Sequence, residues 1–303
     1  MERATHLKRA RQDVIYDTVI FIILTIILLI VAYPLYFVII SSFSDPVAVA
    51  GGKVVFVPIG FTLDGYKEVF KTQTVVNGFL NSLLYTAVGV AVNLGVTIPT
   101  AYALSRKDFV LNRPITLFYI FTMFFGGGMM PTYLIVRDTH LLNTMWALIL
   151  PGALGVYNMI VARTFFTTNI PVELMEAAKL DGCGNTRFFL YIVLPLSGAI
   201  TAILFLYYGV GHWNSYFSAL LYITDRKKFP LQLELRNILL QNSVNMSSRV
   251  LTEAELKEKE RLEALKEMMK YSLIIISSIP VLVIYPFVQK HFVKGVMIGS
   301  VKG

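Results

Sequence analysis

Glu173, Glu176, Lys179 and Asp181 fall close together in the chain, with Ala177 and Ala178 between them. Carboxylates grouped this way on a short helix can accept charge-assisted hydrogen bonds, and Glu176 is placed to take one from a partner's arginine or from backbone amides. This is recognition chemistry. No acid, base and nucleophile stand together in a pattern that would support catalysis. Cys183 is the only cysteine and four histidines are scattered, so neither an internal disulfide nor a metal-ligand cluster is predicted. The glycine-dense run Phe125–Pro131 (FGGGMMP) lacks the Lys-Ser/Thr that follows a phosphate cradle.

The elements that must position these groups are set by composition. The chain has 303 residues, 55% hydrophobic and 15% charged, against about a quarter charged in soluble domains. Six apolar segments stand out, at 16–42, 81–104, 115–135, 145–162, 192–222 and 271–289. Each approaches or exceeds the roughly 20 residues that cross a ~30 Å hydrocarbon core. The expected fold is all-α: a polytopic membrane domain over 16–289, a head at 1–15 and a tail at 290–303. The polar connections are too short to build a large soluble core. The basic head resembles that of a signal peptide, but the apolar run continues past Pro34 to Ser42 with no small-residue cleavage site, so an uncleaved first span is expected.

The segment interiors contain no Asp, Glu, Lys or Arg. Ion-coupled carriers usually keep an intramembrane charge as the coupling group, and this chain offers none. The net charge of +8 fits the excess of bases on the cytoplasmic side of membrane proteins, and no basic stripe interleaved with aromatics points to nucleic acid. Arg3, Lys8, Arg9 and Arg11, then Arg106, Lys107 and Arg113, then Lys290, Lys294 and Lys302 fall on one side of a six-span topology, which predicts both termini cytoplasmic. The long loop 224–270 is also basic, yet parity places it outside, where its glutamates nearly balance its bases. Its first part, 225–236, reads as a turn and a short ordered segment. Its second, 252–270, reads as a helix running into the sixth span, with Glu253 before Lys257 and Glu255 before Lys259. A solvated extension is the favoured reading of that helix, and a docking surface for an external partner the sharper one.

Prolines 34, 99, 131, 151, 195, 280 and 286 punctuate the spans, and kinks are expected there. The three glycines of 126–128 permit either close helix packing or a hinge. Between the fourth and fifth spans lies a semi-polar loop, 167–195. Pro171 suits a first helical turn, Glu173 and Glu176 complement the dipole, and Gly182 can end the helix after about three turns, too short to span. Asn185 or Thr186 can cap a second helix that climbs past Pro195. A helix merely resting on lipid would be more basic than this one. The alanines leave a smooth surface suited to insertion into a partner's groove. Gly182→Pro, or a bulky residue at Ala178, is expected to uncouple docking without blocking membrane insertion.

These residues resemble the permease subunits of ATP-binding-cassette importers. That family carries Glu-Ala-Ala, three residues, Gly, nine residues, Ile, one residue, Leu-Pro. Here the pattern is Glu176-Ala177-Ala178, Gly182, Ile192 and Leu194-Pro195. The likeness covers nearly the whole chain. The stretches 170–182 (IPVELMEAAKLDG), 126–134 (GGGMMPTYL), 140–151 (HLLNTMWALILP) and 211–223 (GHWNSYFSALLYI) are similar to carbohydrate permeases for complex oligo- and polysaccharides of Gram-positive bacteria. Val301-Lys302-Gly303 is similar to the end of the maltose-type second permease. Cys183 stands where Ala or Ser is more usual.

The resemblance implies a bacterial plasma-membrane subunit that pairs with a second homologous permease. A coupling helix formed around Glu173, Glu176, Ala177, Ala178, Asp181 and Gly182, continuous with Leu194-Pro195, would dock on one of two cytoplasmic ATPase subunits. ATP and magnesium would be bound there and not by this chain. The tail Val301–Gly303 would reach the ATPase interface, and an external lipoprotein would deliver the sugar to the 224–270 loop. The other reading is a stand-alone carrier or channel with a structural cytoplasmic loop.

Sugars are met by aromatic faces and amides. Asn81, Asn93, Asn158, Tyr207, Tyr208, Trp213, Asn214 and Tyr216 are the candidates for a substrate path. Trp213 and Asn214 lie about 27–30 Å along a helix from Pro195, near the outer side. A residue of the interfacial aromatic belt is the favoured reading of Trp213. Asn158 can instead bond a neighbouring helix.

Overall fold

The computed structural model describes residues 11–241 and 253–300. All regular elements among them are helical. In order they are α1 (Arg11–Ser42), α2 (Pro46–Ala50), α3 (Asp64–Lys71), α4 (Gln73–Ser105), α5 (Asn112–Phe124), α6 (Met129–Asp138), α7 (Trp146–Ile149), α8 (Val156–Asn169), α9 (Val172–Leu180), α10 (Asn185–Phe188), α11 (Leu194–Leu196), α12 (Gly198–Trp213), α13 (Phe217–Tyr222), α14 (Leu231–Gln241) and α15 (Glu253–Ser300). Helices α1, α4 and α15 each contain a stretch long and apolar enough to cross a membrane.

The third, fourth and fifth predicted spans are not continuous helices. Helices α5 and α6 meet at 113°, α7 and α8 at 51°, and the α10–α11 segment meets α12 at 77°. Each break has a local cause. Between α5 and α6, Gly128 takes φ 87°, and a side chain on Gly126 or Gly128 would touch nothing within 4 Å. The glycine run thus sits at a backbone break, where Gly128 supplies the left-handed φ. Pro151 lies in the 3₁₀ turn Leu150–Gly152 that ends α7. Before Pro195 the helix widens to a π turn over Phe189–Val193, which accommodates the ring and the missing N–H. The predicted fifth segment is divided further, because α13 is separate from α12.

The described residues fall into two units. In the first, the end of α1, α2 and the loop to α3 enclose a small core of Ile40, Ala48, Val49 and Val54, flanked by Phe37 and Tyr271. Asp45 Oδ1 caps α2 by accepting from the N–H groups of Val47 and Ala48. The early part of α15 also belongs to this unit. Its Ala264, Met268 and Met269 are buried, so the last part of the segment predicted as a solvated extension, 263–270, carries a packed apolar stripe; the side chains before it lie outside the described residues.

In the second unit α4 is the central column, packed along α8, α12 and α14. At one end of α4 a cluster includes Ala101, Tyr102, Leu104, Met159, Phe166, Phe188 and Leu204. At the other, Tyr85 packs with Val136, Leu148, Tyr222 and Leu233.

The broken α7–α8 span leaves backbone groups without helical partners, and polar side chains of α4 and α12 supply them. Asn93 Nδ2 donates to the carbonyls of Gly152 (2.8 Å) and Ala153 (2.9 Å). Its Oδ1 is left to accept from His212 Nε2 at 2.6 Å. The Tyr208 hydroxyl accepts from Gly155 N–H at 3.1 Å and shares a 2.7 Å hydrogen bond with Thr97 Oγ1.

Candidate functional site

The stretch with recognition chemistry forms a short helix held against the end of α4 and α8. α9 has nine residues, about 13.5 Å at 1.5 Å per residue. Pro171 is its N-cap residue with extended ψ, one position earlier than the first turn predicted for it. Gly184, and not Asn185 or Thr186, is the N-cap residue of α10, with no side-chain cap. Asp181 is the C-cap residue of α9, and Gly182 follows with φ 74°. Gly182 N–H bonds to Lys179 O at 3.0 Å and Cys183 N–H to Ala178 O at 2.8 Å. This is a Schellman ending, which needs a left-handed residue at Gly182 and an apolar residue after it. Cys183 and Ala178 meet in the same apolar cluster. The thiol is thus a small apolar filler at the position where Ala or Ser is more usual.

The two alanines do different things. Ala178 is 8% exposed and packs in the cluster containing Tyr102, Phe166 and Phe188. Ala177 is exposed, as are Glu173, Glu176 and Asp181. Glu173, Ala177 and Leu180 fall on one face at the i, i+4, i+7 spacing, and Leu180 is 90% exposed. An apolar side chain so bare, rimmed by carboxylates, is what a partner's pocket would cover. Leu180 was not singled out from sequence; its place one turn after Ala177, opposite Ala178, is the signal that marks it. Leu194 and Pro195, also exposed, continue the connection towards α12 through the π turn.

Beside α9 lies a groove of roughly 260 Å³, lined by the end of α4, the α4–α5 loop and one side of α9. Arg106 dominates its polar wall. Arg106 Nε and Nη2 donate to the two carboxylate oxygens of Asp108, and Nη1 donates to Asn185 Oδ1 at 2.9 Å. Asp108 Oδ2 also pairs with Lys179 Nζ at 3.4 Å. The guanidinium lies over the Tyr102 ring, 5.9 Å from its centre. The Arg106 hydrogen bonds hold the Asp108 carboxyl well below the usual carboxylate range, helped by Lys179 and opposed by partial burial. The α4 terminus itself is closed by Arg163, whose Nε donates to Leu104 O at 2.8 Å.

The substrate-path candidates do not reach this site; Asn93, Tyr208 and Asn158 gather instead at the break between α7 and α8. Asn81 Nδ2 donates to the carbonyls of Lys227 and Phe229, and Asn93 and Tyr208 serve the broken span. Trp213 is 3% exposed, donates from Nε1 to Ser277 O at 2.8 Å, and meets Phe79 edge to face. It is therefore an interior packing residue. The belt reading fails because its N–H is satisfied by a neighbouring helix and not at a water interface. Asn214 and Tyr216 are exposed and Asn158 is half-buried. Val301, Lys302 and Gly303 lie outside the described residues.

The loop after α13 is tightly held. Asn143 Oδ1 accepts from the N–H groups of Thr224 and Asp225, the Tyr85 hydroxyl donates to Lys228 O, and Leu231 N–H donates to Ser82 Oγ. Arg226 pairs through Nε and Nη2 with both oxygens of the fully buried Glu234, at 3.0 and 3.1 Å.

A set of apolar helices, broken at glycine and proline and carrying a short surface helix with one bare face, defines a multi-pass helical membrane protein. The chain is 39% identical over 289 residues, 95% of its length and 99% of the relative's, to the polygalacturonan/rhamnogalacturonan transport system permease protein YtcP of Bacillus subtilis (strain 168). It is 40% identical over 270 residues to protein LplC of the same organism, covering 89% of each. A solved bacterial ABC transporter involved in the import of the acidic polysaccharide alginate has a chain that superposes with TM-score 0.85 at 28% identity, covering 94% of this chain and 99% of that one. No protein-family model matches. The chain belongs to the permease subunits of ABC-type sugar importers, a multi-pass membrane protein whose family leaves ATP hydrolysis to separate subunits.

Proposed function

We propose that this chain is one half of the translocation pathway of an ATP-driven importer for oligo- or polysaccharide, and that α9 is its coupling helix. The observation that carries the reading is the two-faced character of α9. Ala178 seats the helix in the permease core while Glu173, Ala177 and Leu180 stand bare on the opposite face. Each of the two permeases, this chain and a homologous second one, docks such a helix into a cytoplasmic ATPase. ATP and magnesium act in the ATPases, and an external binding lipoprotein delivers the sugar. Rocking of the two permeases gives alternating access.

Counting each bent pair as one crossing makes six spans, which puts both termini on one side. The basic loop with Arg106 and Lys107 lies at the α9 end of α4, in line with a cytoplasmic placement of both. At the other end the basic turn 226–228 has its charge partly spent internally, on Glu234 and on the Asn143 carbonyl that Lys228 reaches. This supports an external position for it despite its lysines. The permease named for polygalacturonan/rhamnogalacturonan and the importer of the acidic polysaccharide alginate make galacturonate oligomers the first ligands to try. Asn158, Asn214 and Tyr216 are the remaining substrate-path candidates of this chain.

The test is to co-express the chain with a candidate second permease, ATPase and binding protein. A stable complex whose ATP hydrolysis rises with loaded binding protein supports the reading. Sugar transport by this chain alone, without ATP, would overturn it in favour of a stand-alone carrier.

A further inference from the structure

The α4–α5 loop holds both sides of the turn that ends α9. Lys179 precedes that turn and Asn185 follows it. Asp108 Oδ2 takes Lys179 Nζ at 3.4 Å, and Arg106 Nη1 donates to Asn185 Oδ1 at 2.9 Å. Arg106 and Asp108 are themselves joined by a two-pronged pair. Two residues of one loop therefore grip the ends of one turn. None of these contacts uses the outward face of α9 assigned to the ATPase.

The grip has a mechanical consequence. The groove beside α9 keeps one of its sides from packing flush against the end of α4, so the apolar contacts of Leu174, Met175 and Ala178 seat the helix and the polar contacts beside the groove act on its angle. Arg106 can set that angle because its side chain is only 13% exposed and each of its three guanidinium nitrogens donates a hydrogen bond. It follows directly on α4, a helix of 33 residues and about 50 Å. The far end of α4 is bonded to the segment 227–231 through Asn81, Ser82 and Tyr85.

We infer that Arg106 and Asp108 are positioning residues of energy coupling: they make α9 move as one body with α4, so that displacement of α9 by an ATPase reaches the opposite end of the permease. The inference rests on α9 being the docking helix. A surface pair such as Asp108–Lys179 contributes little by itself. The Arg106–Asn185 bond carries the effect, made from a guanidinium that Asp108 holds in place.

The experiment uses the complete transporter reconstituted in vesicles, with sugar imported per ATP hydrolysed as the main readout and ATPase co-purification as the control. Arg106→Lys keeps the charge but cannot hold Asp108 and Asn185 together. Asn185→Leu removes the acceptor, and Asn185→Asp restores one. The expected result is ATPase binding near wild type for all three, with sugar per ATP falling about tenfold for Arg106→Lys and Asn185→Leu, the scale of one lost charge-assisted hydrogen bond. Asn185→Asp stays close to wild type. Wild-type sugar per ATP in Asn185→Leu, whose exposed site leaves folding intact, would overturn the inference, as would equal loss in Asn185→Asp. A wild-type transporter that imports sugar with no ATPase bound would instead remove the docking role beneath it.

Discussion

The imidazole of His212 occupies the space that a side chain on Gly89 would need: a Cβ at position 89 would lie 2.5 Å from His212 Nε2. The close approach lets α12 bring that nitrogen to Asn93 Oδ1, completing the polar network that satisfies the broken α7–α8 span. Gly89→Ala is expected to destabilise the detergent-solubilised protein by about 1–3 kcal/mol through overpacking. His212→Ala in the same chain removes the obstruction, so the double variant should lose less than the sum of the singles. Additive losses in thermal unfolding would show that the ring does not set the cost.

Ala178 and Ala177 should separate packing from docking. A leucine at Ala178 enters a filled cluster and is expected to cost about 1–3 kcal/mol while displacing α9, so both thermal stability and ATPase co-purification fall. A leucine at the exposed Ala177 should leave the melting temperature unchanged and reduce co-purification alone. Equal behaviour of the two variants would refute the two-faced assignment.

The Arg226–Glu234 pair predicts an asymmetry. Glu234 is fully buried whereas Arg226 is half exposed. Arg226→Ala strands a buried carboxylate and is expected to cost about 3–5 kcal/mol. Glu234→Gln leaves an arginine that can turn to water, and should cost about 1 kcal/mol. Denaturation of the purified single variants checks the order, and a larger loss for Glu234→Gln would contradict it.

Asp108 gives a pH prediction. Its folded pKa is depressed, chiefly by Arg106. Its contribution is therefore complete above the unfolded carboxylate value of about 3.9 and is lost only as pH falls through the lower folded value. Sugar per ATP should show no Asp108-dependent inflection between about pH 5 and pH 8, where a carboxylate of this kind stays ionised. Asp108→Asn, which removes the charge at every pH, should lower the ratio evenly across that range. An inflection in the wild type that disappears in Asp108→Asn would contradict the assignment.

Much of the site is local and could be read from sequence. Glu173 in the first turn of α9, Gly182 after its last and the spacing to Leu194-Pro195 depend on dihedral preference and helix polarity, which neighbouring residues decide. The break at Gly126–Gly128 belongs to the same class, although sequence left its purpose open between packing and hinge. The Arg106 clamp was hidden because its partners stand 71 and 79 positions from the residues they hold. Arg106 looked like one more base for orienting the membrane.

By itself the sequence determined an all-helical membrane protein and the place of its surface helix, while the permease reading came from the motif resemblance. It did so because apolar length, charge absence and turn chemistry are properties of continuous segments. Only the tertiary structure decided that Trp213 lies inside, that Asn93 and Tyr208 mend a broken span, and that Ala178 is buried while Ala177 stands bare. Lipid and protein interior are both apolar, so hydrophobic pattern alone cannot say which side of a spanning helix meets which. Packing makes that choice, and with it decides which polar groups are used up holding the fold and which remain free to act.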